Sequence, residues 1–126
     1  MPLLLESGRT ELWRGDILRL PENYDLGPGS RPVDLIVYDP READYGLGLV
    51  TVSGYKAGLT WFILPRESAR ENAICIDMGW LKIHWKNWFA YEWDGAMRVI
   101  DIARTEILEW DRRMIVETPD ADRRTA

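Results

Sequence analysis

Covalent chemistry in this chain would depend on two residues, since it holds one cysteine, Cys75, and one histidine, His84. Nucleophilic catalysis needs a thiolate together with a base positioned beside it. Cys75 lies in the apolar run Ala73–Ile76, a setting that disfavours the thiolate and leaves a thiol inert. His84 falls within a helical pattern, which favours a structural ring with hydrogen-bonded nitrogens. A small Cys/His enzyme is therefore the least supported alternative, and we predict no catalytic residue.

Metal and phosphate sites have little support in the residue pattern. One cysteine and one histidine cannot build the Cys/His cage of a zinc site. The nearest group of acidic residues, Asp39, Glu42 and Asp44, lacks the spacing of a calcium loop, and its composition is typical of a solvated connection. Gly46-Leu-Gly48 is only a G-x-G fragment within a strand pattern, which argues against a phosphate loop. We expect neither a metal nor a cofactor.

Aromatic residues are concentrated in the segment Trp80–Trp93, which holds four of the seven tryptophans. Tryptophan is common where a large apolar area is buried, either in a core or against a partner. Helical spacing predicts that one face of a helix packs into the core and contains Leu81, His84, Trp85 and Trp88. Trp80 is expected to join that core, and a strand reading of this short segment stays open. The exposed aromatic candidates then lie at its acidic end, around Tyr91–Asp94.

The elements that would position these residues are mostly β-strands. Val33–Tyr38 is a β-rich run between turn-forming segments. The clearest hairpin is formed by Leu47–Ser53 and Leu59–Leu64, because the glycine-bounded linker Gly54–Gly58 joins two β-branched and aromatic runs. Gly58 is expected to supply the positive φ that this turn requires.

Later elements are shorter. Ile74–Ile76 reads as a buried strand, after which Asp77 could cap the helix. The stretch Ala96–Met114 is ambiguous, and a strand followed by a short second element is favoured over a helical stripe. The predicted fold class is α+β, with a twisted antiparallel sheet or a partly closed small barrel and one short packed helix. Residues 1–116 are expected to form a single globular domain, and residues 117–126 a flexible C-terminal tail.

Charge and composition bound the class of partner. The chain has 16 basic and 21 acidic side chains and a net charge of −5, which argues against nucleic-acid binding because phosphate backbones are repelled. Phe89–Asp111 holds six acids and two bases, a net of −4, and Val33–Ser53 holds four acids and one base, a net of −3. Aromatic residues flanked by acids suit a basic protein surface. Because the chain shows no signal peptide, membrane span or cysteine pair, we expect it to be cytoplasmic.

Three motifs carry a family resemblance. The most specific is the hairpin Ser53-Gly-Tyr-Lys-Ala-Gly-Leu59, which is followed by Ile63-Leu-Pro65 and by Trp80-Leu81 with Trp85-x-x-Trp88. Together they resemble a family of small bacterial immunity proteins, which are encoded beside polymorphic or contact-dependent toxins. The resemblance covers roughly Gly46–Trp93. Two positions depart from the family pattern, which tends to have asparagine where this chain has His84 and a Tyr-Pro step where it has Ala90–Glu92.

The resemblance implies a protein that binds and neutralises a cognate toxin domain by direct contact, without catalysis or a cofactor. The acidic net charge suits a basic toxin, whereas nucleic acid and membrane are not expected as partners; the oligomeric state stays open. The alternative is a small ligand-binding module that uses an aromatic platform. Loop position and charge suggest that the contact residues are Tyr55, Lys56, Glu92, Trp93 and Asp94, with a second acidic patch at Asp39, Glu42 and Asp44.

Overall fold

A computed structural model describes the chain over residues 1–21, 32–54, 56–70 and 74–108. The strands and the α-helix of these ranges are β1 (Glu11–Leu12), β2 (Ile17–Leu20), β3 (Val33–Tyr38), β4 (Tyr45–Thr51), β5 (Thr60–Pro65), β6 (Ile76–Asp77), α1 (Met78–Trp88), β7 (Ala90–Trp93), β8 (Ala96–Val99) and β9 (Glu106–Leu108). Short 3₁₀ turns occupy Leu4–Glu6, Arg66–Ser68 and Ile102–Arg104.

The main sheet has five strands in the order β5-β4-β3-β2-β9, and its described pairs are all antiparallel. β1 pairs with β6, and β7 pairs with β8, in two further antiparallel ladders. The α+β prediction is confirmed in its open-sheet form, since the described strands do not close into a barrel.

One face of the main sheet is buried together with α1. The strand β3 shows the alternation expected of a half-buried strand: Val33, Leu35 and Val37 are buried, whereas the residues between them are partly exposed. From the helix, Met78, Leu81 and Trp85 enter the same core. The helical prediction for Trp80–Trp88 is thus confirmed and its strand alternative is wrong. The core is formed by Leu4, Leu12, Leu18, Leu20, Val33, Leu35, Val37, Leu47, Leu49, Leu64, Ile76, Met78, Leu81, Trp85, Phe89, Ile100 and Ile107.

A β-bulge in β5 directs two neighbouring aromatic rings toward the helix. Leu49 pairs with Phe62 but Val50 pairs with Thr60, so Trp61 is an extra residue in the ladder. An extra residue breaks the strict alternation of side chains between the two faces of a sheet. Trp61 and Phe62 therefore both contact Phe89, with ring centroids 5.5 and 5.1 Å away. This contact fixes the end of α1 against the first half of β5.

Asp77 begins the helix, as the sequence predicts. Its side chain accepts a hydrogen bond from the backbone N–H of Trp80 at 3.1 Å, in the N-cap arrangement. Asp77 also pairs across the β1–β6 ladder with Glu11, and the guanidinium of Arg70 lies 2.9 Å from Asp77 and 3.1 Å from Glu11. Two carboxylates on opposite strands repel each other unless a cation bridges them. Arg70 therefore stabilises the junction at which the helix starts.

Other elements were predicted with less accuracy. The short strand expected at Ile74–Ile76 is observed at Ile76–Asp77, because pairing with Glu11 and Leu12 sets its position and Ile74 is 62% exposed. The ambiguous stretch after Ala96 forms β8, a 3₁₀ turn and β9 up to Leu108, which favours the strand prediction over the helical stripe. The predicted tail, residues 117–126, lies outside the described residues.

The pKa of Asp77 lies below its usual value, chiefly because of the hydrogen bond from Trp80 N–H and also because of Arg70. A carboxyl group with a lowered pKa in the folded state stabilises the fold fully above its unfolded pKa, about 4, and loses that contribution as pH falls through the folded value. We expect Asp77→Ala to lower the free energy of unfolding at pH 7 by about 1 kcal/mol.

Asp77→Asn is the matched variant, since asparagine keeps a capping oxygen but cannot titrate. Its free energy of unfolding should fall less than that of the parent chain between pH 5 and pH 2, as measured by urea denaturation at each pH. Equal acid sensitivity of the parent and Asp77→Asn chains would show that other carboxyl groups dominate this pH range.

Candidate partner-binding surface

The hairpin β7–β8 turns at Asp94 and Gly95, whose φ values are +55° and +81°. Positive φ at both central residues is the conformation of a type I′ turn, which matches the right-handed twist of the strands on either side. Aspartate and glycine are among the few residues that adopt it readily. The Asp-Gly step therefore determines where the chain reverses and which side chains face one another.

The base of this hairpin is anchored in the core. Phe89 and Ile100 are 0% and 1% exposed, and the N–H of Ile100 donates to the carbonyl of Phe89 at 2.8 Å. The indole N–H of Trp85 donates to the carbonyl of Ile100, also at 2.8 Å. The rings of Trp85 and Phe89 are parallel and stacked. Helix α1 thus anchors both strands of the hairpin at its base.

The tip of the hairpin is exposed to solvent. Trp93, 55% exposed, has Glu92 and Asp94 as its exposed neighbours. Among the tryptophans that the structure describes, Trp93 is the exposed one, while Trp80, Trp85 and Trp88 are buried or packed against the core. Three of the predicted contact residues are therefore brought together at one tip. Tyr91, expected at the exposed end, is instead half-buried against the core.

Sequence reasoning missed two exposed apolar residues on β8. Met97 is 68% exposed and Val99 is 52% exposed, and both project from the same face as Glu92, which pairs with Met97. Reading the Asp-Gly step as a type I′ turn would have predicted the pairing of β7 with β8 and hence this face.

The turn between β4 and β5 holds the predicted contact residue Lys56, which is half-buried; Tyr55 lies outside the described residues. Gly58 has φ +92°, which confirms the predicted positive value, and its N–H donates to the carbonyl of Thr51 at 2.6 Å. Leu59 follows and is 59% exposed. An exposed leucine beside Lys56 adds apolar surface that the charge pattern alone did not indicate.

The turn between β4 and β5 lies close to the base of the β7–β8 hairpin. β5 starts two residues after Gly58, and its Trp61 contacts Phe89 immediately before β7. The base of the β7–β8 hairpin therefore lies near the turn end of the β4–β5 hairpin, where Lys56 is located. This arrangement follows from the aromatic contact and was not evident from the sequence.

The acidic connection 39–44 lies at the opposite end of the sheet. It precedes β4, whereas the turn with Lys56 follows β4, and seven strand residues span roughly 20 Å. One Asp39 oxygen accepts a hydrogen bond from the N–H of Arg41 at 2.8 Å, and Arg41 has a positive φ of +58°. The structure therefore separates Asp39, Glu42 and Asp44 from the turn that holds Lys56.

A cavity of about 730 Å³ opens beside this acidic connection. Asp39 and Glu42 line it together with Arg41, Arg66 and Arg70, whereas Asp44 is exposed and is not among the lining residues. The carboxylates thus share their surroundings with guanidinium groups. This end of the molecule is less uniformly acidic than its sequence indicates.

The residues that could do covalent chemistry are used structurally. The thiol of Cys75 is fully buried and lies 3.9 Å from a carboxylate oxygen of Glu11. The ring of His84 contacts the carbonyl of Trp80 at 2.9 Å and stacks on the indole of Trp80. Over the described ranges, no three histidine, cysteine or acidic side chains are grouped as metal ligands would be, and no helix is long and apolar enough to cross a membrane.

Comparison with known families agrees with the resemblance in the sequence. The model of the family described as Immunity protein 45 matches residues 4–100. The chain belongs to this immunity protein family. The match extends from the first 3₁₀ turn through β8 and includes the exposed tip of the β7–β8 hairpin. No curated protein and no solved structure matches the chain.

The anchor of the hairpin can be tested by Trp85→Phe. This change keeps an aromatic ring but removes the indole N–H, so the buried carbonyl of Ile100 loses its donor, at a cost of about 1–3 kcal/mol. We expect this loss in the free energy of unfolding, together with faster amide exchange at Ile100.

The matched control is Trp80→Phe, because Trp80 is only partly buried and no described hydrogen bond involves its indole nitrogen. The free energy of unfolding should decrease less for Trp80→Phe than for Trp85→Phe. A larger loss for Trp80→Phe than for Trp85→Phe would show that the hydrogen bond to Ile100 is not the principal anchor.

Proposed function

We propose that this immunity protein binds a cognate bacterial toxin domain in the cytoplasm and neutralises it by direct contact, without catalysis. The family assignment supports the class of function. The observation that carries the proposed site is the exposed Trp93 on a hairpin with a buried base. Hot spots of protein interfaces are enriched in tryptophan, and an anchor held by a rigid scaffold loses little entropy on binding.

The principal contact surface in this proposal is the tip of the β7–β8 hairpin together with the turn between β4 and β5. Trp93 supplies an apolar anchor, Glu92 and Asp94 are its acidic neighbours in the chain, and Lys56 lies in the turn between β4 and β5. Tyr55 is proposed as a further contact from its position in the sequence. An aromatic centre with a charged rim is the usual composition of such interfaces.

The acidic connection 39–44 is proposed as a secondary patch that acts at longer range. Asp39, Glu42 and Asp44 lie at the far end of β4, and arginines lie around the first two. A net charge of −5 attracts a basic toxin before contact and raises the association rate. The patch therefore contributes to steering, whereas Trp93 at the hairpin tip contributes to the lifetime of the complex.

A ligand-binding module with an aromatic platform has less support. Stacking of planar groups needs exposed aromatic faces, and Trp93 is the one exposed tryptophan in the described ranges. The remaining described tryptophans are buried or half-buried. A lone exposed ring suits a partner protein that surrounds it better than a small planar ligand.

We expect Trp93→Ala to weaken binding of the inactivated toxin domain that is encoded beside this gene. The loss should be about tenfold to a hundredfold, because removal of a hot-spot tryptophan costs about 2 kcal/mol or more. The dissociation constant is measured by calorimetry, and protection of cells that express the active toxin should decrease in parallel.

Ile83→Ala is the matched control, since Ile83 is a large apolar residue of α1 that is 72% exposed. This variant should bind like the parent chain. If the double variant Tyr55→Ala/Trp93→Ala folded normally and kept full affinity, the assignment of the contact surface would be wrong.

Charge at the tip should act mainly on the association rate. Asp94→Asn removes one negative charge but keeps a residue that tolerates the positive φ of the turn, so the hairpin should keep its shape. We expect a decrease of about two- to fivefold in the association rate at low salt and a smaller one at 0.5 M salt, with a nearly unchanged dissociation rate.

Asp44→Asn provides the comparison for the second acidic patch. It should decrease the association rate to a similar extent if the patch steers the toxin. A salt-independent effect of Asp94→Asn, or an effect confined to dissociation, would contradict the electrostatic role. Both rates can be obtained by stopped-flow fluorescence of the toxin complex.

A further inference from the structure

The backbone groups at the outer edge of β8 follow from the hydrogen bond at the base of the hairpin. Ile100 donates to Phe89, so this pair is hydrogen-bonded, and the bonding then alternates along an antiparallel ladder. Tyr91 and Arg98 form the next bonded pair in the register. The N–H and C=O groups of Met97 and Val99 therefore point away from β7, toward the free edge.

This edge is open in the part of the chain that the structure describes. All four residues of β8 are exposed, whereas β7 is half-buried at its first two positions and contacts α1. No hydrogen bond to the outward groups of Met97 or Val99 is found within the described ranges. The unpaired edge thus lies on the side of the hairpin away from the helix.

β8 has only part of the usual protection of an edge strand. Proteins prevent pairing at such edges with proline, bulges, charged side chains or very short strands, and β8 is short with one charged residue, Arg98, but has neither proline nor a bulge. β8 reads Ala-Met-Arg-Val, its ladder with β7 is regular, and the side chains next to the outward groups are apolar. Met97 and Val99 combine free backbone groups with exposed apolar surface, which is the combination that strand addition uses.

We propose that the free edge of β8 binds an extended segment of the cognate toxin as an additional antiparallel strand, with Met97 and Val99 as its backbone partners. The inference rests on the proposed function, because the toxin is its occupant. It goes further in naming the kind of contact: main-chain hydrogen bonds along β8, with Trp93 at the adjoining tip.

A second copy of this chain fits the edge less well. Bonded pairs across a new interface must join outward-pointing residues, so the register that uses both positions pairs Met97 with Val99 of the second copy. That register places Arg98 directly opposite Arg98 of the second copy, about 4.5 Å apart at the Cα atoms, where like charges repel. A register that pairs Met97 with Met97 of the second copy avoids this repulsion. Val99 then has no strand residue of the second copy opposite it.

Arg98 also specifies the chemistry of the segment that β8 would bind. A residue opposite Arg98 on an added strand lies on the same face and within reach of its guanidinium. The residues on either side face Met97 and Val99 across bonded pairs. The preferred toxin segment therefore reads apolar, acidic, apolar, even where the toxin as a whole is basic.

Amide exchange measured by NMR tests the edge directly. The probe is the inactivated C-terminal domain of the toxin encoded beside this gene, added to the labelled full chain. The amides of Met97 and Val99 should exchange at least tenfold more slowly in the complex, whereas the amide of Arg98, bonded to Tyr91 in both states, should change less.

The outcomes separate this proposal from the proposed function. A complex in which Met97 and Val99 exchange as in the free protein would overturn strand addition and leave toxin binding intact. The absence of any complex would overturn both. Protection of the two amides in the free protein that grows with its concentration would instead assign the edge to a second copy.

Substitution at one position distinguishes backbone from side-chain contact. Met97→Pro removes the outward N–H but keeps the ladder to β7, since proline is tolerated at edge positions that do not donate inward. Met97→Ala keeps the N–H and removes the side chain. We expect Met97→Pro to weaken toxin binding at least tenfold and Met97→Ala less than fivefold.

Equal losses for the two variants would indicate docking of the side chain and would contradict the proposal. An NMR spectrum must show that each variant keeps the Trp93 and Ile100 signals of the hairpin. If Met97→Pro unfolds the hairpin, Val99→Pro against Val99→Ala provides the same comparison at the second outward position.

Discussion

The arrangement of the candidate surface depends on one buried ring, that of Phe89. It stacks on Trp85 from the helix and contacts Trp61 and Phe62 from the sheet. Truncation of a buried phenylalanine costs about 3–5 kcal/mol in other proteins, a large share of the stability of a domain. β7 begins at the next residue. The buried ring of Phe89 therefore also determines the position at which the β7–β8 hairpin extends from the core. Core packing and the position of Trp93 are therefore coupled.

This coupling explains how a short hairpin can extend into solvent. An isolated two-stranded hairpin is marginally stable in water, and β7–β8 has four residues in each strand. Its stability has to come from its base, where the indole of Trp85 and the backbone of Phe89 both bond to Ile100. The Asp-Gly turn then fixes the other end at little steric cost, because aspartate and glycine adopt positive φ readily. The side chains between these fixed points remain available to a partner.

The sequence was sufficient to predict the helix from its periodicity, β3 from its β-rich run between turn-forming segments, and the β4–β5 hairpin from its glycine-bounded linker. The exposure of Trp93 and the burial of Trp85 followed from the same spacing. The bulge at Trp61 could not be predicted, because an extra residue appears only when the partner strand is known. The separation of the acidic connection from the turn with Lys56 could have been inferred, because consecutive antiparallel strands place their two connections at opposite ends.

The structure separates residues that determine stability from residues that would determine the partner. Exposed side chains such as Met97 and Val99 contribute little to the core, and substitutions at such positions usually change stability by less than about 0.5 kcal/mol. Asp94 and Gly95 are constrained by their positive φ, and Phe89 by its burial. A change of partner can therefore proceed through β8 side chains while the backbone edge keeps its geometry. Main-chain hydrogen bonds would supply affinity that does not depend on those side chains, and the side chains would select among toxins.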